Sequence, residues 1–248
     1  MLRAELVKLK RSSTWLVAFV LPLLAVITGT VNYARNADLV GPGWASFTSQ
    51  VVLFYGLLFF SMGVSVLAAT VWRVEHRGTN WNLLLTGTRQ PVRLVLAKVV
   101  AVTVPVCFMQ GVLVLATLVS GVAVLGLPGG FPWRFALVGA LAVVAALPLV
   151  ALQSLLSMLL RSFAAPVAIC FVGCVVAVAA VTSTGLRPLA HVLPQAITTR
   201  AINLGSSAIA QSGALTVADA LPILLTAVAL AAVLTLAGAA AIRGVKLR

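Results

Sequence analysis

The sequence predicts an all-α membrane protein with six transmembrane helices. Of its 248 residues, 62% are hydrophobic and 8% are charged, and the mean hydropathy is +1.15. A water-soluble domain of this composition would expose more apolar surface than water tolerates. Crossing the hydrocarbon core of a bilayer takes about 20 helical residues, so the chain has room for six spans and little else.

Six apolar segments of suitable length follow one another along the chain. They occupy residues 14–33, 49–72, 99–125, 135–160, 164–181 and 218–242. Their central turns carry no charged residue, as expected where a charge costs roughly 2.5 to 3.5 kcal/mol on insertion scales. The first segment follows basic residues, as a signal peptide does, but it is too long for a signal-peptide core. We therefore expect one transmembrane domain over residues 1–248.

The distribution of basic residues predicts the orientation. With six spans, thirteen Lys and Arg residues fall on the side of both termini, and four fall on the other side. This excess predicts that both termini are cytoplasmic and that the chain lies in the cell membrane. The basic residues are spread singly and without interleaved aromatics, which argues against a nucleic-acid-binding surface and favours contact with the lipid bilayer.

The first thirteen residues combine basic side chains with a helical apolar pattern. Leu2, Leu6 and Leu9 recur at a spacing that places them on one face of a helix. We expect residues 1–13 to form an amphipathic helix that lies in the membrane interface.

The sequence contains few side chains that could catalyse a reaction or bind a metal ion. Its four carboxylate side chains all lie in loops or near the ends of spans: Glu5, Asp38, Glu75 and Asp219. His76 and His191 fall on opposite sides of the membrane and cannot share a metal ion. No glycine-rich loop carries the lysine that a phosphate cradle needs. We expect no catalytic residue, no metal site and no cofactor in this chain.

The connection at 73–98 is the longest one on the predicted cytoplasmic side. Trp81, Leu84 and Leu85 stand at i, i+3 and i+4, so a short helix ending at Gly87 would present one apolar knob. Pro91 suits the first turn of the next helix. The knob either lies in the lipid interface or docks into a groove on a cytoplasmic partner.

Several residues of this connection match a sequence pattern of a known protein family. They are Glu75, Thr79, Leu83, Leu84, Leu85 and Pro91. Together with the basic N-terminal helix and the six spans, they resemble the permease subunits of ABC-2-type ABC transporters. A narrower resemblance, to the small permeases of lantibiotic self-protection (immunity) exporters, rests on Gly43-Trp44, 53–56, Glu75-His76 and 81–85. Here 88–91 read Thr-Arg-Gln-Pro, whereas many relatives place the proline earlier.

The resemblance implies a machine of several chains. Separate ABC ATPase subunits would bind ATP and magnesium, and this chain would pair with a second copy or with a related permease. A cytoplasmic coupling helix between spans 2 and 3 would contact the ATPase. The residues implied in this coupling are Glu75, Arg77, Thr79, Trp81, Leu84, Leu85 and Pro91. The implied cargo is an amphipathic compound or an antimicrobial peptide that is exported.

Two further regions allow alternative interpretations. Residues 182–217 either form an ordinary outer loop or dip back into the membrane as short helices, with a helix-like stretch at 195–203. Gly56, Ser61 and Gly63 lie close together on the second span. This small-residue face either lines the translocation path at a dimer interface or packs within one subunit.

Two other classes of function compete with an export permease. A secondary transporter would need a titratable or ion-binding group deep in a span, where the sequence offers only the amides Gln110 and Gln153. An assembly or anchoring protein that is not coupled to ATP would use the 73–98 connection as a docking site without turnover.

Overall fold

The computed structural model of the chain describes residues 2–10, 12–76, 90–209 and 212–244. Within these ranges the regular elements are all helical. Six of the helices are long and apolar enough to cross a membrane, which confirms the predicted number. We call them spans 1 to 6, in chain order: Thr14–Val40, Trp44–Arg73, Pro91–Val124, Trp133–Leu159, Ala164–Thr182 and Val217–Arg243.

Four of the six spans are not continuous α-helices, and span 1 is kinked at Asn36, where φ is −123° and ψ is 20°. The α-helices are α1 (Leu2–Leu9), α2 (Thr14–Val40), α3 (Trp44–Phe54), α4 (Phe60–Arg73), α5 (Pro91–Val119), α6 (Trp133–Ala145), α7 (Leu147–Leu159), α8 (Ala164–Thr182), α9 (Pro194–Ile202) and α10 (Val217–Gly244). A wide π-helical turn at Tyr55–Phe59 interrupts span 2, and another at Ser120–Val124 ends span 3. Span 4 breaks next to Pro148, which has no amide hydrogen for the helix ladder.

The first span runs further than its apolar segment. A polar loop was expected after residue 33, but the helix continues to Val40. Polar side chains support the extension, because Asn36 donates to the carbonyl oxygen of Asn32 at 2.9 Å and Asn32 donates to Gln50 of span 2 at 2.6 Å. The helix ends at Gly41, whose φ of 81° lies in the region that favours glycine.

One apolar core joins all six spans and both short α-helices. Its largest buried members include Trp72 and Phe60 of span 2, Met109 of span 3 and Leu149 of span 4. Spans 1 and 5 expose large apolar side chains on their outer faces, for example Leu16 and Val172. Such faces suit hydrocarbon rather than water, in agreement with a bilayer as the solvent.

The connection between spans 5 and 6 contains a short 3-10 helix, Arg187–His191, followed by α9. Eight of the nine residues of α9 are buried. Thr199 donates to the carbonyl oxygen of Gly56 at 2.8 Å, and Thr198 lies 3.5 Å from that of Ala145. Gly56 and Ala145 lie near the middle of spans 2 and 4, so α9 packs inside the helix bundle rather than over its end.

We predict that a large side chain at Gly56 separates α9 from span 2. A Cβ atom there would collide with Ile202 and lie 2.7 Å from Nδ2 of Asn203. Gly56→Leu should therefore lower the stability by about 1 to 3 kcal/mol, the usual cost of overpacking a core. The measurement is the midpoint of heat-induced unfolding of the purified protein in detergent.

The matched control is Gly111→Leu in span 3. A Cβ atom at Gly111 has no neighbour within 4 Å among the described residues, so this variant should unfold at the wild-type temperature. An equal loss of stability in both variants would contradict the packing described for Gly56.

Candidate functional site

Four charged side chains from three separate segments meet next to the 73–98 connection. Glu5 and Lys8 come from α1, Glu75 follows span 2, and Lys98 lies two turns into span 3. Lys98 Nζ lies 2.6 Å from Glu5 Oε2 and 2.6 Å from Glu75 Oε1. Lys8 Nζ completes the ring at 2.9 Å from Glu5 Oε1 and 2.7 Å from Glu75 Oε1. We refer to Glu5, Lys8, Glu75 and Lys98 as the charge network.

Most of the charge network is withdrawn from solvent. Lys98 is 0% exposed, Glu75 is 3% exposed and Glu5 is 5% exposed, whereas the Lys8 side chain is 39% exposed. The two ammonium groups and two carboxylates sum to zero charge. Removing one partner of such a buried set usually costs several kcal/mol, because an uncompensated charge stays behind.

Local structure explains why these residues meet. Glu5 and Lys8 are three residues apart on α1 and so share a face of the helix. Lys98 lies on the buried face of span 3, in register with Leu94 and Val102. Its ammonium group lies 5.3 Å from the ring centroid of Trp72, close enough for a cation–π contact. An amine on a core face has to find anions inside the protein, and α1 and the end of span 2 supply them.

The charge network shifts the pKa values of two of its members. Burial acts to raise the pKa of Glu75, but Lys98 and Lys8 outweigh burial, so the pKa falls below the ordinary 4.5. Burial acts to lower the pKa of Lys8, but hydrogen bonds from its ammonium group to Glu75 and Glu5 outweigh it and raise the pKa above 10.5. Both groups are therefore charged at neutral pH.

The network fixes both flanks of residues 77–89. Glu75 stands shortly before this segment, and span 3, which carries Lys98, begins shortly after it at Pro91. His76 adds a further contact, because its Nε2 lies 2.8 Å from the carbonyl oxygen of Ser157 in span 4. The residues on either side of 77–89 are thus connected to α1 and to span 4.

The predicted coupling residues divide into two groups. Arg77, Thr79, Trp81, Leu84 and Leu85 lie outside the described residues. Pro91 is the first residue of span 3, in the first helical turn as predicted. Glu75 lies just after span 2 with its carboxylate directed into the protein, where Lys98 and Lys8 bind it. Its predicted role in coupling to an ATPase stays a prediction.

The sequence interpretation missed Glu5, Lys8 and Lys98 as site residues. It assigned both lysines to the general excess of basic residues and gave Glu5 no partner. One signal was available: Lys98 stands at helical spacing from Leu94 and Val102 and so lies on an apolar face. That pattern indicates a buried amine, although it does not name the carboxylates that neutralise it.

The small residues of span 2 pack against this chain itself. A Cβ atom at Gly56 would meet Ile202 of α9, and one at Gly63 would lie 2.6 Å from the terminal carbon of Met109. Ser61 is fully buried, and its carbonyl oxygen accepts a hydrogen bond from Cys170 of span 5 at 3.4 Å. Packing within one subunit, one of the two alternatives, thus accounts for all three; their contact with a second copy stays a prediction.

Across the described part of the chain, no three His, Cys, Asp or Glu side chains are grouped so that they could hold a metal ion. Within the charge network, the four side chains bind one another through ion pairs. Its physical capacity is to bind three segments into one unit.

We predict that Lys98→Met destabilises the protein strongly. The substitution leaves Glu5 and Glu75 buried with only Lys8 as a partner, which should cost about 3 to 5 kcal/mol. Heat-induced unfolding in detergent measures the loss. Arg93→Met, which removes an exposed charge from the same helix, is the control and should leave the unfolding temperature unchanged.

A triple variant separates charge from packing. Lys98→Met combined with Glu5→Gln and Glu75→Gln removes the buried charges together, so it should be more stable than Lys98→Met alone. If adding the two glutamine substitutions recovers no stability, the ion pairs do not determine the effect of Lys98.

The pKa shifts predict when α1 separates from the bundle. Because the pKa of Glu75 is lowered on folding, its contribution is complete above 4.5 and is lost as the pH falls through its folded pKa. Because the pKa of Lys8 is raised, its contribution is complete below 10.5 and is lost as the pH rises through its folded pKa. A spin label at Leu6→Cys, in a background without other cysteines, should keep the same mobility between about pH 5 and pH 10.

The same label should become mobile in strong acid, below the ordinary pKa of a glutamate. A transition near neutral pH would contradict the assignment, since neither pKa shift places a titration there.

Comparison with known proteins connects this arrangement to a family. Residues 1–177 match the model of a family described as "ABC-2 family transporter protein", and this stretch includes all four residues of the charge network. No curated protein and no solved structure matches the chain significantly. The match spans more than two thirds of the chain, which therefore belongs to the ABC-2 transporter family, whose members are membrane transport components that normally lack an ATPase site of their own.

Proposed function

We propose that this chain is the membrane-spanning permease subunit of an ATP-driven exporter in which a separate ABC ATPase hydrolyses ATP. The observation that carries the proposal is the charge network, which binds both flanks of residues 77–89 and α1 into one unit. The family supports it, because ABC-2 permeases usually work with an ABC ATPase partner.

The proposed contact with the ATPase is the apolar knob of Trp81, Leu84 and Leu85, with Arg77 and Thr79 beside it. An aromatic anchor surrounded by polar residues is a common core of protein interfaces. Glu75 does not touch the partner in this scheme. Its ion pair with Lys98 transmits displacement of the segment from span 2 to span 3.

A buried ion pair suits this role better than an apolar contact. Separating the pair would leave each charge buried without a partner, so the two spans are expected to move together rather than slide past each other. The backbone of spans 2 and 3 carries the motion outward, and the π-helical turn at Tyr55–Phe59 is a place where span 2 can bend.

The proposed orientation has both termini in the cytoplasm, which rests on the thirteen-to-four distribution of basic residues. The α1 helix would then lie at the cytoplasmic interface, and α9 would enter the membrane from the outer side as a re-entrant helix. The burial of α9 and its contacts near the middle of spans 2 and 4 support this placement.

The proposed assembly pairs this chain with a second copy or a related permease. Gly56, Ser61 and Gly63 are covered by the chain's own residues, so a role in the translocation path would require α9 and span 3 to move. For the cargo, an amphipathic compound or antimicrobial peptide is proposed from the resemblance of residues 1–98 to lantibiotic immunity permeases.

The test is purification of the tagged full-length chain in mild detergent, with mass spectrometry of associated proteins and an ATPase assay. We predict a stoichiometric ABC ATPase. Trp81→Asp and Leu84→Asp should each lower its recovery about tenfold or more, because a charge in an apolar contact costs several kcal/mol.

Leu39→Asp is the matched control, since Leu39 is 85% exposed at the opposite end of span 1 and should not affect recovery. Purification of the chain alone, or with partners that lack ATPase activity, would reject the proposal in favour of a secondary transporter or an assembly protein. Full ATPase recovery with Trp81→Asp and Leu84→Asp would reject the apolar knob as the docking site.

A further inference from the structure

A cavity of about 480 Å³ lies where α1 meets spans 1 and 3. Its walls are mainly apolar and come from Leu6, Val7 and Leu9 of α1, Trp15 of span 1 and Val104 of span 3. Arg3 and Lys10 complete the lining. The cavity therefore combines an apolar interior with two cations from the N-terminal segment.

Among the described residues, no carboxylate pairs with either cation. Glu5 and Glu75 are bound by Lys8 and Lys98. The other two carboxylate side chains of the sequence are Asp38, near the opposite end of span 1, and Asp219, at the start of span 6. No ion pair involves Arg3 or Lys10 within the described ranges. The described part of the chain therefore leaves both cations available to an external anion.

The side chains of Arg3 and Lys10 both lie at this cavity. Arg3 and Val7 are four residues apart and so line one side of α1, whereas Glu5 is buried towards the protein core. Lys10 follows the last residue of α1 in a turn and lines the same cavity. The guanidinium of Arg3 can bind two oxygens of a phosphate, and the ammonium of Lys10 can add a point charge.

The apolar wall continues from the cavity along span 3. The Trp15 ring is fixed, because its Nε1 donates to the carbonyl oxygen of Leu9 at 2.9 Å and its edge meets Phe108 at 5.3 Å between ring centroids. Val104 and Phe108 are exposed one turn apart on the same face. A second apolar cavity of about 620 Å³, between Phe19–Val31 and Val112–Val124, lies further along the same two spans.

We propose that this cavity binds an anionic phospholipid from the leaflet that α1 faces, with its phosphate at Arg3 and Lys10 and an acyl chain along Val104 and Phe108. A free phosphate ion would satisfy the cations but leave the apolar walls in water. A zwitterionic lipid would fill the walls but bring no net negative charge. An anionic phospholipid satisfies both requirements.

Such a lipid would stabilise the docking of α1 from the side opposite to the charge network. The network holds the inner face of α1 through Glu5, and the lipid would hold the face that carries Arg3 and Lys10. This binding site does not depend on an ATPase or on transport, so its test is separate from that of the proposed function.

The experiment is native mass spectrometry of the purified full-length chain titrated with dioleoyl phosphatidylglycerol or dioleoyl phosphatidylcholine. We expect one phosphatidylglycerol to bind about tenfold or more tightly than phosphatidylcholine, because each basic residue near an anionic lipid contributes roughly a fivefold preference. Arg3→Gln with Lys10→Gln should reduce the binding of phosphatidylglycerol to that of phosphatidylcholine.

Two further variants test the location of the site. Arg93→Gln with Arg161→Gln removes the same charge from exposed positions at the same end of the bundle and should leave the preference unchanged. Val104→Trp keeps both cations but blocks the path of the acyl chain, so it should weaken the binding of both lipids.

Three results would overturn the proposal. One is equal binding of phosphatidylglycerol to the wild type and to the Arg3→Gln, Lys10→Gln variant. Another is wild-type binding by Val104→Trp. The third is displacement of the bound lipid by millimolar inorganic phosphate, which would identify a simple anion site.

Discussion

A fully buried lysine imposes the main constraint on this protein. Lys98 lies on the core face of span 3, and an ammonium group without water needs anions at close range. Glu5 and Glu75 supply them, and they draw α1 and the end of span 2 against span 3. The start of the chain, the flanks of residues 77–89 and the body of the bundle thus depend on one set of ion pairs.

The ion pairs of Lys98 with Glu5 and Glu75 also affect how many carboxylates remain for the other basic residues. The sequence has 17 basic and four acidic side chains, and two of the four acidic ones are committed to the charge network. In the described part of the chain, no other basic residue at that end of the bundle forms an ion pair with a carboxylate. Lipid phosphates and anionic partners are the natural complements to such a surface.

A different requirement applies in the middle of the bundle. Backbone polar groups that lie away from water need hydrogen-bond partners within the protein. Spans 2 and 4 depart from regular helix near Tyr55–Phe59 and at Ala146. The hydroxyl groups of Thr199 and Thr198 reach the carbonyl oxygens of Gly56 and Ala145 close to these points. By packing α9 against irregular spans, the chain supplies hydrogen-bond donors to these two backbone carbonyl oxygens inside an apolar body.

The sequence by itself determined the number of membrane-crossing helices and the family resemblance, because long apolar runs and a local motif are properties of contiguous residues. It also predicted Pro91 at the start of span 3, since proline's lack of an amide hydrogen is a local matter. It did not reveal the partners of Lys98 or the burial of α9. These depend on contacts such as those of residues 5 and 98, or 199 and 56, which are remote in sequence. Only the tertiary structure decided them, since the free energy of burying a charge or a short helix depends on what the rest of the chain places around it.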